Sequence, residues 1–424
     1  MVRTFFLYKH LQMCYLSKPL IVMTRNLALL LTLIFFGYQS YSQSDKNFKV
    51  YWSDGLKAES NDGKTKIKIG GRLQTDVMFI NQDDSLDKYF DAKNGVEFRR
   101  ARIYTSGTIY KNIKFKFQMD FAGGNAVIKD AYIQITKIPV VGNLRIGNFK
   151  EPSGLAMLTS SKYITFMERP LGNAFDNDRN IGGMLFNQHF DKRLSWYAGY
   201  FYPTDNSGKY LGNKYNLVFR LTGLPMYNVD DGYKVLHLGV SYAYQYQDNS
   251  ESKYSIRPEA HLAPKYLTLN IDKASNTRDI VGEFLFIMNS VAVEAGYIMA
   301  NLKPGPSSTL TNSSYKAFAY NGTISWFITG EHKNYVKSKT VFDKVKPKKN
   351  FGSEGGIGAF EVALRYSSLN LDDADMQGGQ ISDITGGLNW YLNPATRVMF
   401  NYIYSDVKNL GKSNIFQMRF QIVF

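Results

Sequence analysis

The sequence predicts an all-β fold in which sixteen antiparallel strands close into a transmembrane β-barrel. Three observations lead to this prediction. Residues 415–424 alternate strictly between apolar and polar side chains, aromatic residues make up 15% of the chain, and outside residues 27–37 no apolar run approaches the ~20 residues of a helical span. A barrel wall needs this alternation because lipid covers one face and water covers the other.

The carboxy-terminal strand is the clearest case of this pattern. Phe416, Phe420 and Phe424 fall on one face of an extended chain, while Gln417 and Arg419 fall on the other. A closing aromatic residue resembles the sorting signal of bacterial outer-membrane barrels. We therefore expect the protein to lie in the bacterial outer membrane, in contact with its lipid.

The amino-terminal segment 1–42 has the features of a presequence that is removed on export. Arg25 precedes the apolar run 27–37, and the small residues Ser40 and Ser42 follow it. The run is too short to serve as a membrane anchor. We therefore expect a signal peptide that is cleaved after Ser42.

The start of the chain and the bounds of its later segments can also be assigned. Met23 fits as the true start, so residues 1–22 would be upstream sequence. Residues 43–65 are expected to form a short periplasmic segment. The barrel is expected to span 66–424, with a constriction loop at 151–178.

Composition limits what the mature chain can do. The single cysteine, Cys14, lies in the presequence, which excludes disulfides and thiolate metal sites from the exported protein. The formal net charge is +15, and +11 remains once the four basic residues of the presequence are gone. An excess of positive charge on an exported barrel suggests an anionic guest or anionic lipid headgroups. Nucleic acid is a poor alternative, because the location is wrong and no nucleic-acid motif is present.

Alternating segments recur along the chain and supply the barrel wall. Seventeen candidates can be counted, whereas a single-chain bacterial barrel needs an even number. The turns 110–112, 289–290 and 393–394 are assigned to the periplasmic side, because the periplasmic turns of such barrels are short. That assignment is consistent only if 254–262 is not a wall strand, so sixteen strands and a long external loop at 247–277 are predicted.

Strand parity assigns basic side chains to the inside of the barrel. Arg100 and Arg102 point inward, whereas Arg99 has the outward parity, so it either faces inward through a β-bulge or lies at an interface. Lys114 and Lys116 point inward on the next strand. Guanidinium and ammonium groups in a narrow, water-filled path are the usual basis of anion selection.

Several stretches carry a resemblance to a known family: 70–74, 97–102, 129–132 and 144–171, the last reading LRIGNFKEPSGLAMLTSSKYITFMERPL. On these motifs, the chain resembles the phosphate-selective porin O and P family of outer-membrane channels. The resemblance implies a homotrimer of sixteen-stranded barrels with one pore per subunit. It also implies that the loop 151–178, a second loop within 247–277 and the lysine-rich turn 331–355 fold into the lumen.

The resemblance and the parity together give a candidate selectivity region for phosphate or polyphosphate. Family match favours Arg72, Arg99, Arg100, Asp130, Lys162 and Arg257, and the wider set adds Arg102, Lys114, Lys116 and Arg169. An alternative role for lumen arginines is to neutralise lumen carboxylates such as Glu97, Asp120 and Asp130. The alternative for the lysine-rich turn is a solvated charged segment.

One departure from the family pattern concerns the substrate. Phosphate-selective members place an arginine just after the proline of the second infolded loop, where this chain has Glu259. A carboxylate in place of a cation changes the local charge by two, which is enough to alter selectivity. A general or other-anion porin, or a plugged barrel with a binding role, therefore remains as an alternative.

An enzyme is not expected. His237 and Ser241 lie four residues apart on one strand face, but parity places them inside, whereas a phospholipase of the outer membrane would need them on the lipid side. No spacing of His, Asp and Glu suggests a catalytic metal, and no cofactor is expected.

Overall fold

A computed structural model describes residues 48–175, 177–230, 232–353 and 355–424. The predicted start at Met23, the signal peptide and the cleavage site after Ser42 lie outside the described residues. Among the described residues, no helix is both long enough and apolar enough to cross a membrane.

Sixteen strands form the barrel, as predicted. They are β3 (Lys66–Gln82), β4 (Gly95–Ile109), β5 (Ile113–Asp120), β6 (Val127–Ile138), β7 (Gly142–Lys150), β8 (Arg179–His189), β9 (Leu194–Tyr202), β10 (Tyr215–Asn228), β11 (Lys234–Ile256), β12 (Leu267–Met288), β13 (Val291–Pro304), β14 (Tyr315–Phe327), β17 (Ala359–Asp373), β18 (Met376–Tyr391), β19 (Thr396–Val407) and β20 (Gly411–Val423).

Every neighbouring pair in this barrel is antiparallel, and the last strand closes on the first. The closing pair runs from Ser413 opposite Gln82 to Val423 opposite Arg72. Closure leaves no unpaired strand edge inside the bilayer, where an unpaired backbone group would have no water to bond.

The two faces of β20 confirm the predicted alternation. Phe416 and Phe420 are 41% and 47% exposed on the outside, while Gln417 and Arg419 on the inside are 3% and 0% exposed. The inward side chains are buried because loops fill part of the lumen.

The smaller elements lie between or before the barrel strands. They are β1 (Phe48–Trp52), β2 (Leu56–Ser60), β15 (Asn334–Val336), β16 (Val341–Asp343), α1 (Asp84–Asp87), α2 (Leu155–Leu158) and a 3-10 helix (Leu171–Phe175). The strand β2 pairs with the start of β3, and β15 pairs with β16 inside the lysine-rich turn. The sequence analysis did not anticipate β1 and β2.

The prediction of a long loop at 247–277 is wrong. Strands β11 and β12 continue as a paired hairpin to Ile256 opposite Leu267, which leaves only 257–266 as the connection. The extension is stable because its apolar side chains, including Leu269, are buried against the 3-10 helix and β17. The polar run before Tyr254 concealed this continuation in the sequence.

The loop 151–178 crosses the lumen from β7 to the opposite wall. Near its middle, the Met167 backbone N–H donates to Asn401 Oδ1 at 2.8 Å. Further along, the Leu171 N–H donates to Ser367 Oγ at 2.9 Å. Strands β17 and β19 therefore hold a loop that starts on the far side of the barrel.

The other two predicted infolded segments also lie inside. At the tip of the β11–β12 hairpin, the Glu259 N–H donates to Asp383 Oδ2 at 2.8 Å. In the lysine-rich turn, Thr340 accepts from Arg220 Nη1 at 2.7 Å, and Lys333 is buried. The turn is therefore packed rather than simply solvated.

Candidate functional site

A cavity of about 970 Å³ lies inside the barrel, between the β3–β9 wall, the loop 151–178, the hairpin tip and the turn 338–343. Cationic side chains outnumber carboxylates along its lining. The cations are Arg72, Arg99, Arg100, Arg102, Lys116, Lys129, Arg145, Lys150, Arg169, Arg179, Arg257 and Lys339; the carboxylates are Asp130, Glu168, Asp178, Glu259 and Asp343. The charged groups of the lining therefore carry an excess of positive charge.

A bulge brings Arg99 and Arg100 to the same side of the wall. Gln74 of β3 lies opposite Arg100, but the next residue, Thr75, lies opposite Phe98, so Arg99 is the extra residue. Its guanidinium binds the Glu168 carboxylate through Nε at 2.7 Å and Nη2 at 3.0 Å. The bulge anticipated from parity is confirmed.

Some of the lining cations are paired with carboxylates. Arg102 Nε lies 2.6 Å from Asp120 Oδ2. Asp130 accepts from Arg179 Nε at 2.8 Å and from Lys116 Nζ at 2.5 Å. These carboxylates orient the cations and cancel part of their charge.

Other lining cations have only neutral partners among the described residues. Arg72 donates to the hydroxyls of Ser160 and Ser161 at 3.2 and 2.8 Å. Arg145 donates to Gln134 Oε1, and Lys150 donates to a loop carbonyl. Their positive charge is therefore not cancelled by a contacting carboxylate.

Glu168 is the main carboxylate of the constriction loop. Besides Arg99, it accepts from Arg419 Nη2 at 3.0 Å and lies 4.0 Å from Arg100. Burial alone would raise the pKa of this carboxyl, but the charges of Arg99, Arg100 and Arg419 outweigh burial and hold the pKa well below its usual range. Glu168 therefore stays ionised and fixes three guanidinium groups around the loop.

The remaining loop cations differ in position. Arg169 lines the cavity and donates to the carbonyls of Ala156 and Thr159, both at 2.8 Å, so it also braces the loop. Lys162 lies outside the main cavity lining, with Nζ 5.0 Å from the Tyr163 ring centre. Burial, followed by the positive charges of Arg72 and Lys116, lowers the pKa of Lys162 to about 7.

Two further predicted residues complete the set. Arg257 lines the cavity near the hairpin tip, where its Nη1 donates to the His261 carbonyl and its Nε is buried without a partner among the described residues. Lys114 is exposed near the end of β5, outside the lining. The structure thus brings eight of the ten predicted residues to one cavity and leaves out Lys114 and Lys162.

Glu259 occupies a position between the cavity and the wall behind it. Its carboxylate accepts from Arg365 Nε at 2.8 Å and from the Thr385 hydroxyl at 2.6 Å. Glu259 lines the cavity, whereas Arg365 does not. The carboxylate therefore covers a cation that would otherwise face the lumen.

Sequence reasoning missed five lining cations: Lys129, Arg145, Lys150, Arg179 and Lys339. Parity was a usable signal for Arg145, which alternates with Leu144 and Ile146 on β7. No local signal identifies Lys339, because its position depends on how the turn folds.

The weak histidine–serine pair does not form. His237 contacts the Tyr335 hydroxyl at 2.8 Å and Glu283 at 3.3 Å, while the Ser241 hydroxyl accepts from the Gly154 N–H at 3.4 Å. Both side chains serve packing inside the barrel.

A closed barrel narrowed by infolded loops around a water-accessible cavity defines the porin class. Residues 67–424 match the family model described as phosphate-selective porin O and P. The chain belongs to this family and is a porin of the bacterial outer membrane.

Related proteins agree with this assignment. Porin O of Pseudomonas aeruginosa is 26% identical over 397 residues, which cover 85% of this chain and 87% of that protein. OmpT of Vibrio cholerae has a TM-score of 0.54 at 11% identity, covering 89% of this chain and 100% of that one. The anion-selective porin from Comamonas acidovorans has a TM-score of 0.52 at 13% identity, with coverages of 85% and 100%. These two structures share the fold.

Proposed function

We propose that this porin is an anion-selective channel whose preferred guest is phosphate or polyphosphate. The observation that carries the proposal is the excess of cationic over acidic side chains along the cavity. The family is named for phosphate selectivity, and the Comamonas acidovorans relative in fold is described as anion-selective. We further propose the homotrimer that the family resemblance implies.

Conduction requires that an anion binds at several weak sites and not at one deep one. Arg72 and Arg145 have neutral hydrogen-bond partners, so a passing anion replaces a hydroxyl or amide and not a carboxylate. The guanidinium fork matches two oxygens of a phosphate. Paired cations such as Arg102 contribute to the field but bind the guest less directly.

A second candidate is a general anion porin without phosphate preference. Glu259 is the observation in its favour, because its carboxylate covers Arg365 and lines the cavity. Both candidates require anion selectivity; they differ only in whether phosphate competes strongly with chloride.

Conductance of the purified protein in planar lipid bilayers tests the proposal. In a KCl gradient we expect a reversal potential of the sign set by chloride, and block of the chloride current by phosphate. A channel that passes both anions with equal ease would favour the general porin. A cation-selective current, or no conductance steps, would contradict the proposal, the latter indicating a plugged barrel.

Charge removal then tests the site. The double variant Arg99→Gln with Arg100→Gln is expected to lower the anion-to-cation permeability ratio by about fivefold or more, since one charge at ~4 Å is worth about 1 kcal/mol or more in a wet pore. Arg193→Gln is the matched control: Arg193 is outside the cavity lining and donates to the Tyr227 carbonyl at 3.3 Å. Its permeability ratio should equal that of the wild type.

A further inference from the structure

The inner wall of β6–β9 carries four aromatic side chains: Tyr132, Phe149, Phe186 and Tyr197, here called the aromatic strip. All four line the cavity. The interior of a porin barrel is usually polar, because it is filled with water. An aromatic strip on this face therefore requires an explanation.

The rings form an ordered surface around one guanidinium. Phe186 and Tyr197 stack with centroids 5.7 Å apart at 15°. The central carbon of Arg145 lies 4.4 Å from the ring centroid of Tyr132 and 5.4 Å from that of Phe186. Gly147 lies directly opposite Tyr132 on β7 and adds no side chain to this space.

Arg145 keeps its charge available. Gln134 Oε1 accepts from its Nε at 3.1 Å and from its Nη2 at 2.8 Å, and within the described part of the chain no carboxylate pairs with it. The flat guanidinium therefore lies against the rings, held by a neutral partner.

Packing explains only part of the strip. Phe149 is buried against Met184 and Phe201, as a structural side chain would be. Tyr132, Phe186 and Tyr197 are only partly buried and retain surface toward the cavity. Apolar ring surface beside a cation that has no carboxylate partner among the described residues is suited to a ligand that carries both an apolar ring and a negative charge.

We propose that the aromatic strip and Arg145 form a subsite for organic anions that carry a flat, apolar ring, and in particular for phosphate monoesters of that kind. Arg145 binds the phosphate oxygens, and the ligand's ring packs against the part of Tyr132 and Phe186 that the guanidinium leaves exposed to the cavity. This inference rests on the proposed anion-channel function and extends it from inorganic anions to aromatic organophosphates.

The test compares two monoesters with the same charged group. Phenyl phosphate and methyl phosphate are titrated against the chloride current of the purified porin in planar bilayers. Stacking on aromatic side chains is worth about 1 kcal/mol, so phenyl phosphate should half-block the current at a roughly fivefold lower concentration. Equal blocking concentrations would overturn the subsite while leaving the anion channel intact.

Two variants test whether the stronger block by phenyl phosphate arises at the aromatic strip. Tyr132→Leu combined with Phe186→Leu keeps the wall apolar and should remove most of the phenyl advantage without changing block by methyl phosphate. Phe117→Leu is the matched control, because Phe117 is 42% exposed on the outside of the neighbouring strand β5. The proposal is overturned if the inner double variant keeps the phenyl advantage, or if Phe117→Leu loses it equally.

Arg145→Lys supplies a second variant in which the charge is retained but the fork that binds two phosphate oxygens is lost. Anion selectivity should persist, and block by phenyl phosphate and by methyl phosphate should weaken severalfold alike; unchanged block by both monoesters would overturn the role of Arg145 in the subsite. A cation-selective wild-type channel would be a different failure, since it would remove the proposed function itself and the subsite with it.

Discussion

Two groups of inward-facing arginines in this barrel share residue type and parity but have different surroundings. The cavity arginines, Arg72, Arg100 and Arg145, lie on β3, β4 and β7 and line the cavity. The anchor arginines, Arg220, Arg365, Arg397 and Arg419, lie on β10, β17, β19 and β20 and do not. The comparison shows that an inward guanidinium is not by itself a binding site.

The anchor arginines hold the infolded segments in place. Arg419 pairs with Asp76 and donates to the Met167 carbonyl at 2.6 Å. Arg397 donates to the Ile164 carbonyl at 2.9 Å. Because their donors are used by loop carbonyls and carboxylates, these arginines set the shape of the cavity, whereas the cavity arginines set its charge.

The largest expected effect is on stability and comes from Arg419→Met. The change leaves Asp76 without its partner in a buried site, which costs about 3–5 kcal/mol. Urea unfolding of the detergent-solubilised barrel should show a clearly lower midpoint. Arg397→Met is the control, because Arg397 forms no ion pair among the described residues and its loss should cost about 1 kcal/mol. Equal midpoints for the two variants would mean that the buried ion pair of Arg419 with Asp76 does not account for the stability of this site.

A selectivity comparison separates the two groups directly. Arg72 and Arg397 both bind the loop 151–178 through neutral acceptors, but only Arg72 lines the cavity. Arg72→Gln should lower the anion-to-cation permeability ratio about fivefold, and Arg397→Gln should lower it much less. Reversal potentials in a KCl gradient provide the measurement. If Arg397→Gln lowered the permeability ratio more than Arg72→Gln, lining the cavity would not be what makes an arginine important for selectivity.

Glu259→Gln should make Arg365, an anchor arginine, act more like the cavity arginines. The change removes the charge that covers Arg365 while keeping the shape of the side chain. We expect the anion-to-cation permeability ratio to rise about two- to threefold. Glu294→Gln is the matched control, since Glu294 pairs with Lys333 outside the main cavity lining. No change, or a fall, would mean that Glu259 does not limit selectivity.

The smallest expected effect is a pH dependence from Lys162. A lysine is charged below its pKa, so with a pKa of about 7 Lys162 loses its charge as the pH rises from 6 to 8. Anion selectivity of the wild type should fall in this interval, by about twofold or less because Lys162 lies outside the main lining. Lys162→Met should abolish the slope and Lys114→Met should keep it. A slope that survives Lys162→Met would assign the titration to another group.

Much of the wall was predictable because strand parity is a local property. Alternation alone predicts that Arg100 and Arg102 point inward. The outward parity of Arg99 left two possibilities, a bulge or an interface position, and the structure has the bulge. The hairpin extension to Ile256 was missed, because its stability comes from contacts with the 3-10 helix and β17 and not from its own pattern.

The site was predictable only in part. Parity identifies inward cations, but it does not indicate which of them a loop will cover. The sequence analysis gave no preference to Arg145, whose environment is built from rings on three strands. It ranked Lys162 among its first choices on family match, and the structure places that residue beside Tyr163, outside the main lining.

The period-two pattern of the sequence is enough to predict the barrel wall and the inward direction of its arginines, because side-chain parity is set residue by residue along each strand. The count of sixteen strands needed in addition the rule that such barrels have an even number. Tertiary structure decided which of those arginines remain open to the lumen. That choice depends on contacts between distant parts of the chain, such as Arg72 with Ser161 and Arg365 with Glu259, which are 89 and 106 residues apart. No local pattern encodes such a pairing, since it exists only after the loops have folded into the closed barrel.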